Sequence, residues 1–448
     1  MRDAGHEVIA CAGEPYPTAI ETLHSWGVKF VPIRLSRAGM RPWEDLQTFF
    51  ELNRIIRELR PDIVLAYTIK PVIWGGLAAR FASACKNKHN TETMEDQSGR
   101  GQLLTTTNNR KFFPQNELKT FSLITGLGYA FMGERTFKAR LTGWVAKQLY
   151  RLSLESNHKV FFQNPDDKRE FLDQGLVDEA RSVVVSGSGV DIDHYRDEYK
   201  DPSMEDGINK QIERSAGKRE EKVCFLLIAR LLWDKGIGEY VQAARLILTD
   251  QNKSNNRLHN SPLKLSRFLL AGNLDPNPSS VNQAELDTWI HEGIIEYLGY
   301  LNDVRPAYKE CSVYVLPSYY REGTPRTVLE AMAMGRPIIT TDAPGCRETV
   351  RVASKGEFRV SGFGSSDADG WVRLNELKIG ANGILVPPRN GAALAEAMRF
   401  FMEHPEQIEL MGRESRRYAE ERYDVNKVNA VILEEMDIGK GYKPPNVP

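Results

Sequence analysis

The chain has 448 residues, 41% hydrophobic and 27% charged, which is enough for two or three domains with large cores. Its 59 Lys and Arg offset 60 Asp and Glu, so a net charge of −1 excludes any global electrostatic draw toward nucleic acid. Five dispersed cysteines without a CxxC pair, scattered histidines without HExxH, and no apolar run of the ~18 residues of a membrane span exclude a disulfide scaffold, a zinc site and a spanning helix, and fit reduced thiols in the cytoplasm.

In chain order, "HEVIACA" (6–12), "VKFVPI" (28–33), "DIVLAY" (62–67), "FSLI" (121–124), "KVFFQ" (159–163) and "SVVVSG" (182–187) read as buried strands. A helix over 41–60 opens at Pro42 and stops before Pro61. The rhythm lapses at 188–221, a charged stretch with little apolar periodicity, and a domain boundary is expected there. It resumes with "KVCFLLIAR" (222–230), "RFLLAG" (267–272), "IIEYLGY" (294–300), "VYVLPS" (313–318), "RPIITTD" (336–342) and "GILVPP" (383–388). Helices over 392–403, 405–421 and 425–437 close the chain. Such alternation implies parallel sheets covered by helices on both faces. Polar stretches at 85–119, 250–264 and 351–378 exceed ordinary loops and read as surface insertions.

The most informative stretch is "YYREGTPRTVLEAMAMGRP" (319–337). Thr324 suits an N-cap and Pro325 the first helical position, so the free amides of Arg326 and Thr327 can donate to a phosphate at a helix start. Glu330, inside the helix, and Glu322, before it, offer acceptor sites to vicinal hydroxyls. A strand precedes this helix, which puts the acids at the carboxyl edge of a parallel sheet. In "LLIARLLWDKG" (226–236), Arg230 at a strand end and Lys235 before Gly236 form a diphosphate clamp that needs no metal. "DID" (191–193) has no companion metal ligand, and "NLDPNP" (273–278) reads as a Pro-rich turn.

Together, "ARLLWDKG" and "REGTPRTVLEAMAMGRPIITTDAPGCRE" resemble the nucleotide-sugar site of glycosyltransferase family 4, retaining enzymes of the GT-B fold with two Rossmann-like domains facing across a cleft. The resemblance implies that Glu322 faces the transferred sugar and Glu330 holds the ribose. It also implies that Arg230 and Lys235 hold the diphosphate, and that Thr324, Pro325, Arg326 and Thr327 touch sugar and phosphate. "YLGYLNDV" (297–304) resembles the family's base-binding strand and loop, so Leu298, Gly299 and Tyr300 are expected at the base. "YTIKPVIWGGLAARFA" (67–82) and 123–151 look like a subgroup acting on lipid-linked sugars, typified by the N-acetylgalactosaminyltransferase acting on undecaprenyl-diphosphate-linked diacetylbacillosamine.

The expected domains are an acceptor domain (1–195), a linker or insertion (196–221), a nucleotide-sugar domain (222–421), and a helix and tail (422–448) returning to the first domain. The expected activity moves a hexose or N-acetylhexosamine from a UDP-type sugar to a glycan or polyprenyl-diphosphate-linked acceptor, with no metal cofactor. Two alternatives are a UDP-sugar 2-epimerase of the same architecture and an inactive nucleotide-sugar-binding remnant. "RTFKARLTGWVAKQLYRL" (135–152) carries Arg135, Lys138, Arg140, Lys147 and Arg151 among Phe137, Leu141, Trp144, Val145 and Leu149, a pattern suited to the inner face of the cytoplasmic membrane. The opening "AGHEVIACA" looks like the end of a first helix plus a second strand. The first strand, loop and helix of the N-terminal domain, roughly 20–30 residues, are therefore expected upstream of a truncated or misassigned reading frame.

Overall fold

A computed structural model describes the chain except residues 3–4, 14–16, 36–40, 96–117, 128–136, 197–222, 256–265, 278, 354–368, 370 and 439–448. The chain forms two compact units, Met1–Val185 with Ala430–Pro448, and Ser186–Asn429. The division precedes the expected limit at 195 because the segment after Val185 is bonded into the second unit. The Val190 amide donates to the Tyr423 carbonyl at 2.8 Å, and the Val425 amide donates back to Val190 at 3.0 Å. Arg416 also donates to the carbonyls of Ile192 and Tyr195. The expected linker lies, from 197 onward, outside the described residues.

The first unit holds β1 (Ile9–Ala12) paired in parallel with β2 (Lys29–Pro32), and a separate parallel sheet of β3 (Ile63–Tyr67), β4 (Lys119–Ile124), β5 (Lys159–Phe162) and β6 (Ser182–Val184). Among the described residues no strand joins β1 to β3. Helices α1 (Pro17–Ser25), α2 (Pro42–Leu59), α3 (Ile69–Glu95), α4 (Phe137–Leu154) and α5 (Pro165–Asp173) cross over between strands. α2 starts on its proline, and Arg60 closes it in the left-handed region, as its sequence predicts. α3 runs eleven residues, 85–95, into the stretch expected to be an insertion, and 96–117 lie outside the described residues. The Gly75–Gly76 pair of α3 serves packing: a Cβ at Gly76 would collide with the Ser153 hydroxyl of α4, which donates to the Val72 carbonyl at 2.5 Å.

In the second unit the strands are β7 (Cys224–Ile228), β8 (Arg267–Ala271), β9 (Glu296–Gly299), β10 (Val313–Leu316), β11 (Ile338–Thr341), β12 (Val372–Leu374), β13 (Leu377–Ile379) and β14 (Gly383–Val386). Their order, β12-β13-β14-β11-β10-β7-β8-β9, places six parallel strands in the Rossmann arrangement with an antiparallel hairpin on one edge. Every residue of β7 is buried, and alternate side chains enter opposite cores. Phe225 and Leu227 pack with α6 (Ile237–Asn255) and α10 (Gly391–Glu403), while Leu226 and Ile228 pack with α9 (Arg326–Ala333). This explains the continuous apolar run "CFLLI". The remaining helices are α7 (Gln283–His291), α8 (Arg305–Glu310), α11 (Glu406–Tyr418) and α12 (Val425–Glu435).

Two of the expected insertions need correction. α6 continues to Asn255, inside 250–264, and the stretch 351–378 contributes β12 and most of β13.

Candidate active site

The strand order reverses between β7 and β10, and in open α/β sheets ligands bind outside the carboxyl ends at that point. The loop after β7 carries Arg230 and Lys235; the loop after β10 carries Ser318 to Thr324. They are stitched together by the Asp234 carbonyl, which accepts from the amides of Tyr319 (3.0 Å) and Tyr320 (3.1 Å) and from the Ser318 hydroxyl (3.2 Å). Gly236, at φ 79, lies so close that a Cβ would collide with the Pro317 carbonyl oxygen.

That approach brings the first clamp residue onto the first acid. Lys235 Nζ donates to Glu322 Oε1, which also accepts from the Ser318 hydroxyl at 2.9 Å. The two charged side chains are 14% and 12% exposed, so the pair is held in a partly dry site, with the ammonium 4.9 Å from the centre of the Tyr320 ring. Arg230 is 62% exposed and paired with Asp275 at 3.1 Å. The stretch around Asp275, which the sequence reads as a Pro-rich turn, is a turn in the structure, with the Asn277 amide donating to Asp275 Oδ1 at 2.9 Å. An acidic residue in a Pro-rich loop after the next parallel strand was the available signal, since adjacent carboxyl-end loops meet.

The helix carrying the second acid starts one residue later than expected. Helical residues begin at Arg326, and Pro325 takes the cap position without a side-chain capping bond. Thr324 is therefore not the N-cap, because the proline's fixed φ and extended ψ of 118° make it the last non-helical residue. The amides of Arg326 and Thr327 remain where no intrahelical carbonyl can reach them. Thr324 is buried against Gly187.

Glu330 is 6% exposed and gripped from two sides: Arg326 Nε donates to Oε1 at 3.1 Å, and the Tyr308 hydroxyl donates to Oε2 at 3.2 Å. Burial raises its pKa, and the Arg326 charge and hydrogen bonds from Tyr195 and Tyr308 oppose the rise. Neither tyrosine was singled out from sequence, because each reaches Glu330 from a distant segment.

At the edge of the site, the pairing of β8 with β9 slips, opposing Ala271 to Gly299 and leaving Leu298 out of register. Tyr300, just after this bulge, is 63% exposed. Asp191 of the "DID" stretch accepts from the amides of Asp193 and His194, an Asx-type turn. Among the described residues no three His, Cys, Asp or Glu side chains converge as a ligand set.

Comparison with known proteins places the chain among relatives. Residues 222–404 match the family model described as Glycosyl transferases group 1, and 1–187 match the Glycosyl transferase 4-like domain. The chain is 28% identical over 356 residues, 80% of its length and 78% of the relative's, to the N,N'-diacetylbacillosaminyl-diphospho-undecaprenol alpha-1,3-N-acetylgalactosaminyltransferase of Campylobacter jejuni. It is 26% identical over 157 residues, 32% of this chain and 38% of the relative, to the capsular polysaccharide biosynthesis glycosyltransferase CapM of Staphylococcus aureus. In fold it is similar to Anabaena Alr3699/HepE in complex with UDP, with a TM-score of 0.60 at 15% identity over 97% of this chain and 93% of the other. It is also similar to the Thermosynechococcus elongatus sucrose-phosphate synthase, with a TM-score of 0.62 at 15% identity over 97% and 90%.

Proposed function

The chain belongs to the glycosyltransferases whose group 1 and 4-like domains together span most of it, and we propose that it moves a hexose or N-acetylhexosamine from a UDP sugar to a polyprenyl-diphosphate-linked saccharide. The observation that carries the donor half is the convergence of Lys235, Glu322 and the α9 amides at the sheet's switch point. Cleavage of a sugar–diphosphate bond leaves negative charge on the departing phosphate and positive charge on the anomeric carbon. Arg230, Lys235 and the amides of Arg326 and Thr327 stabilise the first, as preorganised electrostatics without a metal. Glu322 lies beside the second, and Glu330 accepts from the ribose hydroxyls. The base lies on the backbone of Leu298, Gly299 and Tyr300. The acceptor hydroxyl attacks from the face the diphosphate leaves, a phosphate oxygen takes its proton, and the configuration is retained.

The lipid-linked acceptor rests on the similarity to the Campylobacter transferase. α4 supports a place at the membrane surface. Leu141, Trp144 and Leu152 are 52%, 60% and 48% exposed beside exposed Arg140 and Arg151, whereas Tyr150 and Leu154 are buried in the core. Val145 and Leu149 are half-buried, so the interfacial face is narrower than the sequence pattern implied. Arg135 and the side chains of Phe137 and Lys138 lie outside the described residues. Among the described residues no helix is long and apolar enough to cross a membrane.

A screen of UDP-hexoses and UDP-N-acetylhexosamines against polyprenyl-diphosphate saccharides, read by mass spectrometry, tests the reading. One pair should gain a single sugar. If the donor is consumed identically with and without every acceptor, transfer is wrong.

A further inference from the structure

Arg326 Nε donates to Glu330 Oε1 at 3.1 Å, and that bond leaves most of the guanidinium unused. Among the described residues its two terminal nitrogens make no hydrogen bond, and the side chain is 69% exposed.

Local helix chemistry gives little reason for an arginine at this position. Arg326 is the first residue of α9, where a cation opposes the helix dipole. It precedes Glu330 by four residues, and a cation ahead of its acid is the weaker order for such a pair. A ligand is the better account.

The surroundings of Glu330 fix the side from which a ligand reaches it. Oε2 accepts from the Tyr308 hydroxyl, which also lies 2.9 Å from the Thr327 carbonyl. Tyr308 is fully buried, and so is Tyr195, whose ring centre lies 6.5 Å from that of Tyr308. Arg326 is the exposed partner of the carboxylate. The open approach therefore runs along Oε1, beside the guanidinium.

A hydroxyl arriving there meets both charges. It donates its hydrogen to the carboxylate and keeps lone pairs for a donor. The terminal nitrogens of Arg326, joined to Nε through a single carbon, present N–H groups to those lone pairs in the plane of the fork. A phosphate oxygen would gain the guanidinium but be repelled by the carboxylate beside it. One cation and one anion side by side suit a neutral hydroxyl.

We propose that the side chain of Arg326, as distinct from its backbone amide, recognises the ribose, donating to the same hydroxyl that donates to Glu330. The assignment rests on the reading above that Glu330 holds the ribose of the donor. Arg326 thereby acts on the sugar of the nucleotide, while Arg230 and Lys235 act on its diphosphate. A nucleotide lacking that hydroxyl gives up both bonds at once.

Calorimetric titration of the full chain with UDP, 2′-deoxy-UDP and 3′-deoxy-UDP tests the assignment. The pH is set where UDP affinity no longer rises, so that Glu330 has one charge state throughout. The wild-type chain should bind UDP about tenfold or more tightly than one of the deoxy nucleotides, the weight of a hydrogen bond to a charged group. Arg326→Met keeps the exposed stem and removes the head, so its melting temperature should hold. It should weaken UDP about fivefold or more and leave that deoxy nucleotide within about twofold of wild type. Equal weakening of all three nucleotides would move Arg326 to the diphosphate or to the fold and overturn the assignment. An undiminished preference for UDP in Arg326→Met would overturn it as well. If the wild-type chain binds UDP and both deoxy nucleotides alike, it is the ribose reading of Glu330 that fails.

Discussion

Arg230 and Lys235 were equivalent in the sequence, but their surroundings differ. Arg230 is 62% exposed beside Asp275, so Arg230→Ala should hardly move the melting temperature while cutting turnover about 10²-fold, the usual cost of a lost preorganised donor. Lys235 shields Glu322 in a site where both are under 15% exposed, so Lys235→Ala should cut turnover about as much and also lower stability by ~3 kcal/mol by stranding a carboxylate. Steady-state rates and thermal melts check the contrast. Glu330 gives a pH signature. Burial lifts its pKa above 4.5, so its protonated form is favoured in the folded chain, and its contribution to stability is fully present below 4.5 and lost as pH rises through the raised value. Donor binding has the opposite need, a carboxylate, so KM for the nucleotide sugar should rise as pH falls through that raised value. Tyr308→Phe removes a hydrogen bond that favours the carboxylate and should move this limb to higher pH; Glu330→Gln should abolish it. The acids and cations were legible because their spacing reflects local chain geometry. Asp275, Tyr195 and Tyr308 were not, because their partners are set by which loops the sheet order brings together.

At the scale of elements, central strands were legible where burial on both faces wrote an unbroken apolar run, as in β7 and β10. β12 and β13 were missed because each is only three residues long, with β12 on the sheet edge and β13 next to it. The signal was present: Val372 and Leu374 alternate with a polar residue, as do Leu377 and Ile379, across a two-residue turn in which Asn375 adopts φ 50. The helix-capping error at Thr324 arose because a Thr-Pro pair suits either of two adjacent starts. The paired strands β1 and β2 are half-buried or exposed along their length, unlike β4 and β5, whose residues are buried after the first. Each has one ladder partner among the described residues. Amides of β1 and β2 should therefore exchange with solvent at least about tenfold faster than those of β4 and β5, which hydrogen-exchange mass spectrometry resolves directly. Equal protection would mean that another segment covers the inner edge of β1.

On the scale of the molecule, there are two Rossmann-like units: the second carries the proposed donor site, and the first presents the basic, tryptophan-bearing α4. Flotation with anionic vesicles should carry the protein at low salt and release it at high salt, and Trp144→Ala should weaken flotation without changing the melting temperature. Recovery entirely in the soluble fraction at low salt would remove α4 from the acceptor route. The central claim is acceptor-dependent transfer driven by a cationic clamp. Its most direct test is the rate of UDP release from the preferred donor, measured with excess chelator, with and without the polyprenyl-diphosphate saccharide. The account predicts fast release only with the acceptor present, stoichiometric with extended glycan and undiminished by the chelator. Release that stops with chelator, or a 2-epimeric sugar formed without acceptor, would contradict it.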